Sequence, residues 1–318
     1  MVSPENGHLK AEPLSRCPGH RVLVDRLRHL EEEIAKRADK VGERILLAPS
    51  TNRIFQVLYE NRLTHYVYDR MQRARTRQLL ERIRGGPVPK HVGIIMDGNR
   101  RFAQRLGMDP NAGHVLGRKK LEDVMRWCLD LNIKYLTVYA FSTENFKRAP
   151  EEVELLMRLF ELNYKEMADN PDVHKHKIRV RTLGRIELLP PHVQEAARYA
   201  EERTKDYDQY FFNVAVAYGG REELLTAFRN IASQIKSNGM RPEDIDEELI
   251  AKHLYTTGLP DPDLILRTSG EERISNFLLW QAAYSELYFA DVYWPALRKK
   301  DFLKAIESYQ FRKRRYGK

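Results

Sequence analysis

The chain has 318 residues, of which 42% are hydrophobic, and a net charge of +9. This length supports one substantial core of about 230 residues with an appendage. No apolar run approaches the roughly 18 residues of a membrane span, and the N-terminus lacks the apolar region of a secretory signal. We therefore expect a cytoplasmic protein. Two cysteines, Cys17 and Cys128, are too few for a disulfide framework or a zinc site.

The basic excess belongs to the N-terminal part of the chain. Residues 1–90 hold 18 Lys and Arg against 11 Asp and Glu, whereas the remainder holds 36 against 34. Such a balance suits an anionic membrane surface or small anionic substrates. Nucleic acid is disfavoured, because no helix-turn-helix, ribonucleoprotein or zinc-finger pattern accompanies the charge.

Composition divides the chain into three parts. Residues 1–20 are rich in Pro, Gly and Ser and are predicted to be disordered. Residues 21–86 predict a basic helical extension with helices over 22–47 and 54–83, interrupted at 48–52. The arginine-rich face of the second helix favours either peripheral contact with anionic lipid on the cytoplasmic membrane face or plain exposure to solvent. Gly85-Gly86-Pro87 marks the boundary to the main domain, residues 87–318.

Short apolar runs then alternate with amphipathic helical patterns. This alternation predicts an α/β fold with a central, mostly parallel sheet flanked by helices. Strands are predicted over 92–96, 135–141, 178–183, 211–217 and 264–267. Helical patterns cover 117–131, 150–168, 190–205, 222–237, 243–254, 277–283 and 301–315.

Polar groups follow the predicted strands where they end, which is the edge at which open α/β sheets bind ligands. These residues are Asp97, Ser142, Asn145, Gly219 and Arg267. A carboxylate beside a glycine turn, free backbone N–H groups and an arginine can hold a diphosphate and its Mg²⁺. The alternative is that Asp97-Gly98-Asn99 is only a strand-to-helix turn. Neither GxxxxGK[ST] nor a GxGxxG after a strand is present, and neither is the Asp-Asp-x-x-Asp magnesium motif.

Five segments carry a resemblance to a known family. HVGIIMDGNRRFA, TVYAFSTENFKR, AYGGREEL, LILRTSGEERISNFLLWQAAYSELYF and the terminal RYG resemble, in the same order, the signatures of the cis-prenyltransferases. The resemblance covers residues 89–317. It implies condensation of isopentenyl diphosphate onto an allylic diphosphate (farnesyl or geranylgeranyl diphosphate), with Mg²⁺ as cofactor, in a homodimer that makes a long polyprenyl diphosphate for a glycosyl-carrier lipid.

The resemblance also implies the site residues. Asp97 and Asn145 would be catalytic, with Asp97 and Glu286 holding the metal and Glu286 offered by either subunit. The allylic diphosphate would be bound by Gly98, Asn99, Arg101 and Arg148, with His114 near the phosphates. Arg100 would also contact substrate, and Phe102 would either pack against substrate or belong to the core. Further substrate contacts would come from Ser142, Thr143, Glu144, Phe146, Arg267, Arg273, Ile274, Ser275, Arg315 and Gly317. Asn145 could instead serve only as a turn residue.

Three points stay open at this stage. Family members commonly carry Arg four residues before the histidine, where this chain has Pro110, and Arg105, Lys119 or Lys120 could offset that loss. The product would need an apolar tunnel, and eight residues could either line it or belong to the ordinary core: Leu129, Val138, Leu155, Leu156, Leu159, Phe160, Phe211 and Phe212. The rival function is a non-catalytic scaffold subunit of a heteromeric enzyme, although such scaffolds tend to lose the Asp and Arg that this chain keeps.

Overall fold

The structure, a computed structural model, describes residues 74–238 and 240–311. The predictions for residues 1–73 and for Arg315 and Gly317 therefore lie outside the described residues. Residues 74–84, which form helix α1, agree with the end of the predicted second helix of the extension.

The described residues contain one six-stranded sheet in which every pairing is parallel. The strand order is β3-β4-β2-β1-β5-β6. The strands are β1 (His91–Ile95), β2 (Tyr135–Ser142), β3 (Ile178–Leu183), β4 (Tyr210–Tyr218), β5 (Leu264–Arg267) and β6 (Glu286–Phe289). The predicted fold class is confirmed.

Helices connect these strands. They are α2 (Asn99–Arg105), α3 (Ala112–Asp130), α4 (Pro150–Asp169), α5 (Pro171–Lys175), α6 (Pro191–Thr204), α7 (Gly220–Asn238), α8 (Glu247–His253) and α9 (Lys299–Phe311). None of the helices in the described part of the chain is both long enough and apolar enough to span a bilayer.

Alternate residues of the buried strands face two cores, as the pleat requires. In β1, Val92 and Ile94 belong to the larger core beneath α3, α4, α6 and α9, whereas Ile95 belongs to a smaller core on the opposite face. The edge strand β3 is capped by α6: Thr204 accepts a hydrogen bond from the Val180 backbone, and Glu201 accepts one from Thr182. This capping satisfies backbone donors that an edge strand leaves unpaired.

Three elements differ from the sequence prediction. Helix α3 begins at Ala112, five residues before the predicted start. Residues 277–283 are not an α-helix, because Ser275, Asn276 and Leu278 adopt positive φ and only a short 3₁₀ turn follows at Gln281–Tyr284. Strand β6 was not predicted at all, since four residues ending in two aromatics carry too little periodic signal.

The sheet topology defines where a ligand fits. The chain leaves β1 toward β2 on one side, whereas it leaves β5 toward β6 on the other, so β1 and β5 flank a topological switch point. Open parallel sheets bind ligands in the crevice outside the C-terminal ends of such a strand pair. Asp97 follows β1 and Arg267 ends β5, so both lie at that crevice.

Candidate active site

Asp97 is held rigidly at the C-terminal end of β1. Its backbone N–H donates to the Thr268 hydroxyl at 3.0 Å, and the same hydroxyl donates back to the Asp97 carbonyl at 2.7 Å. The carboxylate lies between two guanidinium groups: Oδ2 accepts from Nη2 of Arg267 at 2.8 Å, and Oδ1 accepts from Nη2 of Arg101 at 3.3 Å. Asp97 thus joins the first and fourth of the five signature segments in one site.

Arg267 is a buried charge pointed at the crevice. Its side chain is 4% exposed, and its Nη1 donates to the Ser275 hydroxyl at 2.7 Å and to the Arg273 carbonyl. Its Nε has no hydrogen-bond partner among the described residues. A buried guanidinium with donor capacity to spare is suited to an anionic ligand.

Arg101 and Arg273 share a carboxylate. The Glu271 side chain accepts from Nη1 of Arg101 at 2.9 Å and from Nη1 of Arg273 at 2.5 Å. The hydrogen bond from Arg273, followed by that from Arg101, lowers the pKa of Glu271. For Arg101, partial burial lowers the pKa, but Glu271 and Asp97 outweigh it, so the net pKa is raised. Both groups therefore stay charged, and arriving diphosphates can exchange with Glu271.

A glycine turn leads from Asp97 into α2. Gly98 has φ of 97°, a conformation that costs other residues energy, and a Cβ there would stand 2.6 Å from the Tyr293 ring. The turn aims Arg101 and Phe102 at the crevice side of α2. Phe102 packs edge-on against Tyr293, with ring centroids 6.4 Å apart.

A second cluster surrounds the buried carboxylate of Glu152 in α4. Arg100 and Arg148 each place Nη1 2.9 Å from one of its oxygens, and Nε2 of His114 lies at 3.2 Å. Burial lowers the pKa of His114, Glu152 opposes this effect, and Arg148 and Arg100 add to it, so the net pKa is lowered. His114 is thus biased toward the neutral imidazole beside two guanidinium groups. Arg148 does not reach the Asp97 network and contacts Glu152 instead.

The predicted residues Ser142, Glu144 and Asn145 lie together at the end of β2. The Asn145 side-chain oxygen accepts from the Ser142 backbone at 3.0 Å and caps the 3₁₀ turn Thr143–Lys147. Glu144 accepts from the Asn276 amide at 3.1 Å. Burial raises the pKa of Glu144, but hydrogen bonds from its own backbone, Ser142, Asn276 and Thr143 outweigh it and lower the net pKa. The turn role considered for Asn145 is present, and it leaves Nδ2 as the group that can face substrate.

The remaining predicted contacts lie around these clusters. Phe146 packs against Phe141 with centroids 4.8 Å apart, and Ile274 packs against the smaller core. Asn99 donates to the Met96 carbonyl at 3.3 Å, while its buried Oδ1 has no partner among the described residues.

Four residues in these clusters were not predicted from the sequence: Glu152, Thr268, Glu271 and Asn276. Each acts by holding a predicted residue, so its type alone carried no chemical signal. Glu152 was the most accessible to sequence reasoning, because it lies four residues after Arg148 in a predicted helix, the spacing of an ion pair.

Glu286 is separated from Asp97 within this chain. It begins β6 and pairs with Leu264, three positions before Arg267 in the parallel ladder, and three positions correspond to roughly 10 Å along a strand. The role of Glu286 as a metal ligand stays a prediction, and so does its supply by a partner subunit.

The donor set at Asp97 fits Mg²⁺ bound together with substrate. No group of three or more His, Cys, Asp or Glu in the described part of the chain is arranged to hold a metal by itself. Mg²⁺ needs no such group, since it commonly takes one or two carboxylates and completes its shell with phosphate oxygens and water. Asp97, 26% exposed at the crevice, can supply that carboxylate.

An apolar cavity of about 150 Å³ begins beside this site. Met96 and Asn99, which flank Asp97-Gly98, line its near end together with His114. Its wall includes five of the predicted tunnel residues: Val138, Leu156, Leu159, Phe160 and Phe212. The other three, Leu129, Leu155 and Phe211, do not line it. The arginine-lined crevice at Asp97 thus lies beside an apolar cavity, the combination expected of an enzyme acting on prenyl diphosphates.

Comparisons with known proteins agree with this class. A family model described as "Putative undecaprenyl diphosphate synthase" matches residues 95–317. A protein of Methanocaldococcus jannaschii named tritrans,polycis-undecaprenyl-diphosphate synthase (geranylgeranyl-diphosphate specific) is 50% identical over 90% of this chain and 98% of its own length. One of the same name from Thermococcus kodakarensis is 52% identical over 80% of this chain and 97% of its own.

Two solved structures share the fold. Lavandulyl diphosphate synthase from Lavandula x intermedia, in complex with dimethylallyl diphosphate, superposes with a TM-score of 0.69 at 38% identity, covering 73% of this chain and 99% of that one. A probable undecaprenyl diphosphate synthase from Campylobacter jejuni gives 0.59 at 33% identity, covering 73% and 100%. The chain belongs to the undecaprenyl diphosphate synthase family, the cis-prenyltransferases, and is a prenyltransferase.

Proposed function

We propose that the protein adds isopentenyl diphosphate repeatedly to an allylic diphosphate and so builds a long Z-polyprenyl diphosphate for a glycosyl-carrier lipid. The observation that carries the proposal is the position of Asp97, between Arg101 and Arg267 and next to Met96 and Asn99, which line an apolar cavity. Two sets of guanidinium groups supply charge for two diphosphates, and the cavity supplies room for the growing hydrocarbon.

The two substrates divide between the two sides of Asp97. Arg100 and Arg148 share Glu152 with His114, which lines the cavity. We assign the allylic diphosphate to these two arginines and Arg101, with its hydrocarbon in the cavity. Arg267 and Ser275, joined at 2.7 Å, take the diphosphate of isopentenyl diphosphate together with Arg273. This arrangement presents the double bond of one substrate to C1 of the other, and bidentate guanidinium contacts stabilise the charge that builds on the departing diphosphate.

Mg²⁺ would be held by Asp97 and would neutralise charge on the leaving diphosphate when bound. The family generally depends on Mg²⁺. Adding excess EDTA is expected to abolish turnover, and adding back Mg²⁺ is expected to restore it. Turnover that persists in EDTA would remove the metal from the proposal.

Geranylgeranyl diphosphate is the first candidate for the allylic substrate. The support is the name shared by relatives that are about 50% identical to this chain over most of its length. Farnesyl diphosphate is the competing candidate. Purified protein, Mg²⁺ and labelled isopentenyl diphosphate, incubated with each allylic diphosphate in turn, should give the higher kcat/KM with geranylgeranyl diphosphate.

The same assay separates an enzyme from a scaffold subunit. The proposal expects butanol-extractable polyprenyl product from this chain alone, with length read by thin-layer chromatography after dephosphorylation. No product with any allylic diphosphate, but product after a second chain is added, would contradict it. Homodimerisation and peripheral membrane contact through the N-terminal extension remain proposals, tested by sedimentation and by liposome binding of the full chain against one beginning at Gly86.

A further inference from the structure

A charged side chain spans the gap between the two helices that flank the cavity. Arg118 of α3 donates through Nε to the Asn163 side-chain oxygen and through Nη2 to the Glu166 carboxylate, both on α4. All three side chains line the cavity, and that of Arg118 is only 11% exposed. We call Arg118, Asn163 and Glu166 the Arg118 bridge.

The bridge is set in a mostly apolar wall. Its neighbours along the cavity include Leu121, Leu159, Phe160 and Met167. An ion pair between a buried arginine and a partly exposed glutamate contributes little net stability, because removing charge from water costs about as much as the attraction returns. Apolar side chains of similar size would close this part of the wall at least as well, so stability alone gives no reason for an arginine here.

The position of the bridge is partway along the cavity. Arg118 lies one helical turn after His114, at the diphosphate end of α3. On α4, Asn163 lies eleven residues after Glu152, or roughly 16 Å along the helix. Beyond the bridge, Asn170 and Val173 line both the far end of the cavity and an open surface hollow of about 500 Å³.

We propose that the Arg118 bridge sets the length of the product by tying α3 to α4 across the path of the growing chain. The inference rests on the proposed function, since it assigns a length-determining role within the same cavity. A chain short of the bridge gains apolar contact with every added unit. A chain that reaches the bridge must displace a hydrogen-bonded guanidinium, so further extension becomes unfavourable and the product is released.

The test compares product lengths made by the wild-type protein and by Arg118→Met. Methionine keeps an unbranched side chain, but this side chain is apolar and cannot donate hydrogen bonds to Asn163 or Glu166. The expected result is a shift of the product distribution to chains longer by at least one five-carbon unit. Glu166→Ala, at a side chain 40% exposed, is expected to shift it the same way without endangering the fold.

The matched control is Arg158→Met, which removes an exposed arginine from α4, the helix that carries Asn163 and Glu166. Arg158 pairs with Glu154 away from the cavity, with side chains 55% and 64% exposed. This variant should give the wild-type product length. Wild-type length in both Arg118→Met and Glu166→Ala, with melting temperatures near that of the wild type, would overturn the inference.

Binding provides a readout independent of turnover. Unreactive thiolodiphosphate analogues of increasing prenyl length are titrated into wild-type protein and Arg118→Met. Affinity should stop rising at a certain length in the wild type and continue rising past it in the variant, and parallel curves would overturn the inference. If neither protein makes any product, the proposed function is wrong. The binding series with the analogues then tests the Arg118 bridge independently of turnover.

Discussion

At the scale of single residues, the structure shows what the basic residues near Pro110 contact. The chain has Pro110 where family members commonly carry an arginine, and Lys119, Lys120 and Arg105 were considered as substitutes. The structure instead engages Lys120 with Asp123 and stacks Arg105 over the Tyr293 ring at 4.9 Å.

Arg100 is the other guanidinium group beside the buried carboxylate of Glu152. It shares Glu152 with Arg148, and its side chain is half exposed. We infer that Arg100 compensates for Pro110. Sequence reasoning named Arg100 as a substrate contact but could not pair it with Arg148, because the pairing depends on how α2 and α4 approach each other.

Arg100→Gln is expected to raise the KM for the allylic diphosphate about tenfold and to change kcat less. The loss of a charge-assisted hydrogen bond costs about 1.5–3 kcal/mol, and about 1.4 kcal/mol corresponds to tenfold in binding. Steady-state kinetics at saturating isopentenyl diphosphate measures the effect. Arg229→Gln, at an exposed position of α7, serves as the control and should keep the wild-type KM. An unchanged KM in Arg100→Gln would refute the compensation.

At the scale of elements, the sequence predicted those with strong periodicity and missed those set by tertiary contacts. The strands over 178–183 and 264–267 were predicted at their observed bounds. The segment after Arg273 was predicted as a helix because of its apolar run. Its backbone instead turns left-handed at Asn276 and Leu278, where Asn276 contacts Glu144 and the start of α7, and Leu278 enters the smaller core. Local pattern cannot reveal such long-range contacts.

The turn between β1 and α2 is the element on which the site geometry depends. Gly98→Ala is expected to lower both stability and activity. An L-residue pays roughly 1–2 kcal/mol in this left-handed conformation, and its Cβ would also collide with Tyr293 at 2.6 Å. Relief of that collision has to move α2 and, with it, Arg101. We therefore expect a lower melting temperature and a higher KM for both diphosphates.

Gly107→Ala is the matched control for that turn. Gly107 also has positive φ, 68°, but a Cβ there would meet nothing within 4 Å. It should show the backbone strain alone, with a modest drop in melting temperature and an unchanged KM. Equal kinetic effects in the two variants would mean that the fit against Tyr293 does not position Arg101.

At the scale of the whole molecule, the sheet is anchored at its other end by a buried histidine. His91 is 1% exposed; its Nδ1 donates to the Pro260 carbonyl at 2.7 Å, and its Nε2 accepts from the Thr137 hydroxyl at 2.7 Å. Burial lowers the pKa of His91 to about 4, against weaker opposing effects of Pro260 and Asp263. The folded protein therefore holds a neutral His91 where the unfolded chain would protonate it.

This difference predicts a loss of stability in acid. Above the ordinary histidine pKa of about 6.5 both states are neutral, and His91 gives no pH dependence. Between about pH 6.5 and pH 4, His91 is protonated in the unfolded state but stays neutral in the folded state. The free energy of unfolding therefore falls by roughly 3 kcal/mol. Urea unfolding across this range measures the slope.

His91→Gln is expected to be less stable at neutral pH but to show a shallower loss in acid. His192→Gln, which changes a side chain 47% exposed, should retain the wild-type slope. If His91→Gln also keeps the full slope, another group is responsible for the acid sensitivity.

The sheet topology also explains why the meeting of Asp97 and Arg267 was predictable, whereas the positions of Arg148 and Glu286 were not. Parallel strands bring their C-terminal ends to one edge, so Asp97 and Arg267 could be expected to meet although 170 residues separate them. The sequence could not reveal that Arg148 belongs to a separate cluster around Glu152, or that Glu286 begins a strand whose ladder position sets it apart from Asp97. Both facts follow from packing and register.

The role of Asp97 is tested by incorporation of labelled isopentenyl diphosphate into butanol-soluble product by Asp97→Asn. The variant keeps the size of the side chain, and Asp109→Asn, in the turn before α3, is its control. We predict that Asp97→Asn loses activity by a factor of about 100 or more, with its melting temperature preserved, while Asp109→Asn keeps the wild-type rate. Near wild-type incorporation by Asp97→Asn would show that the crevice between β1 and β5 is not where the diphosphates react.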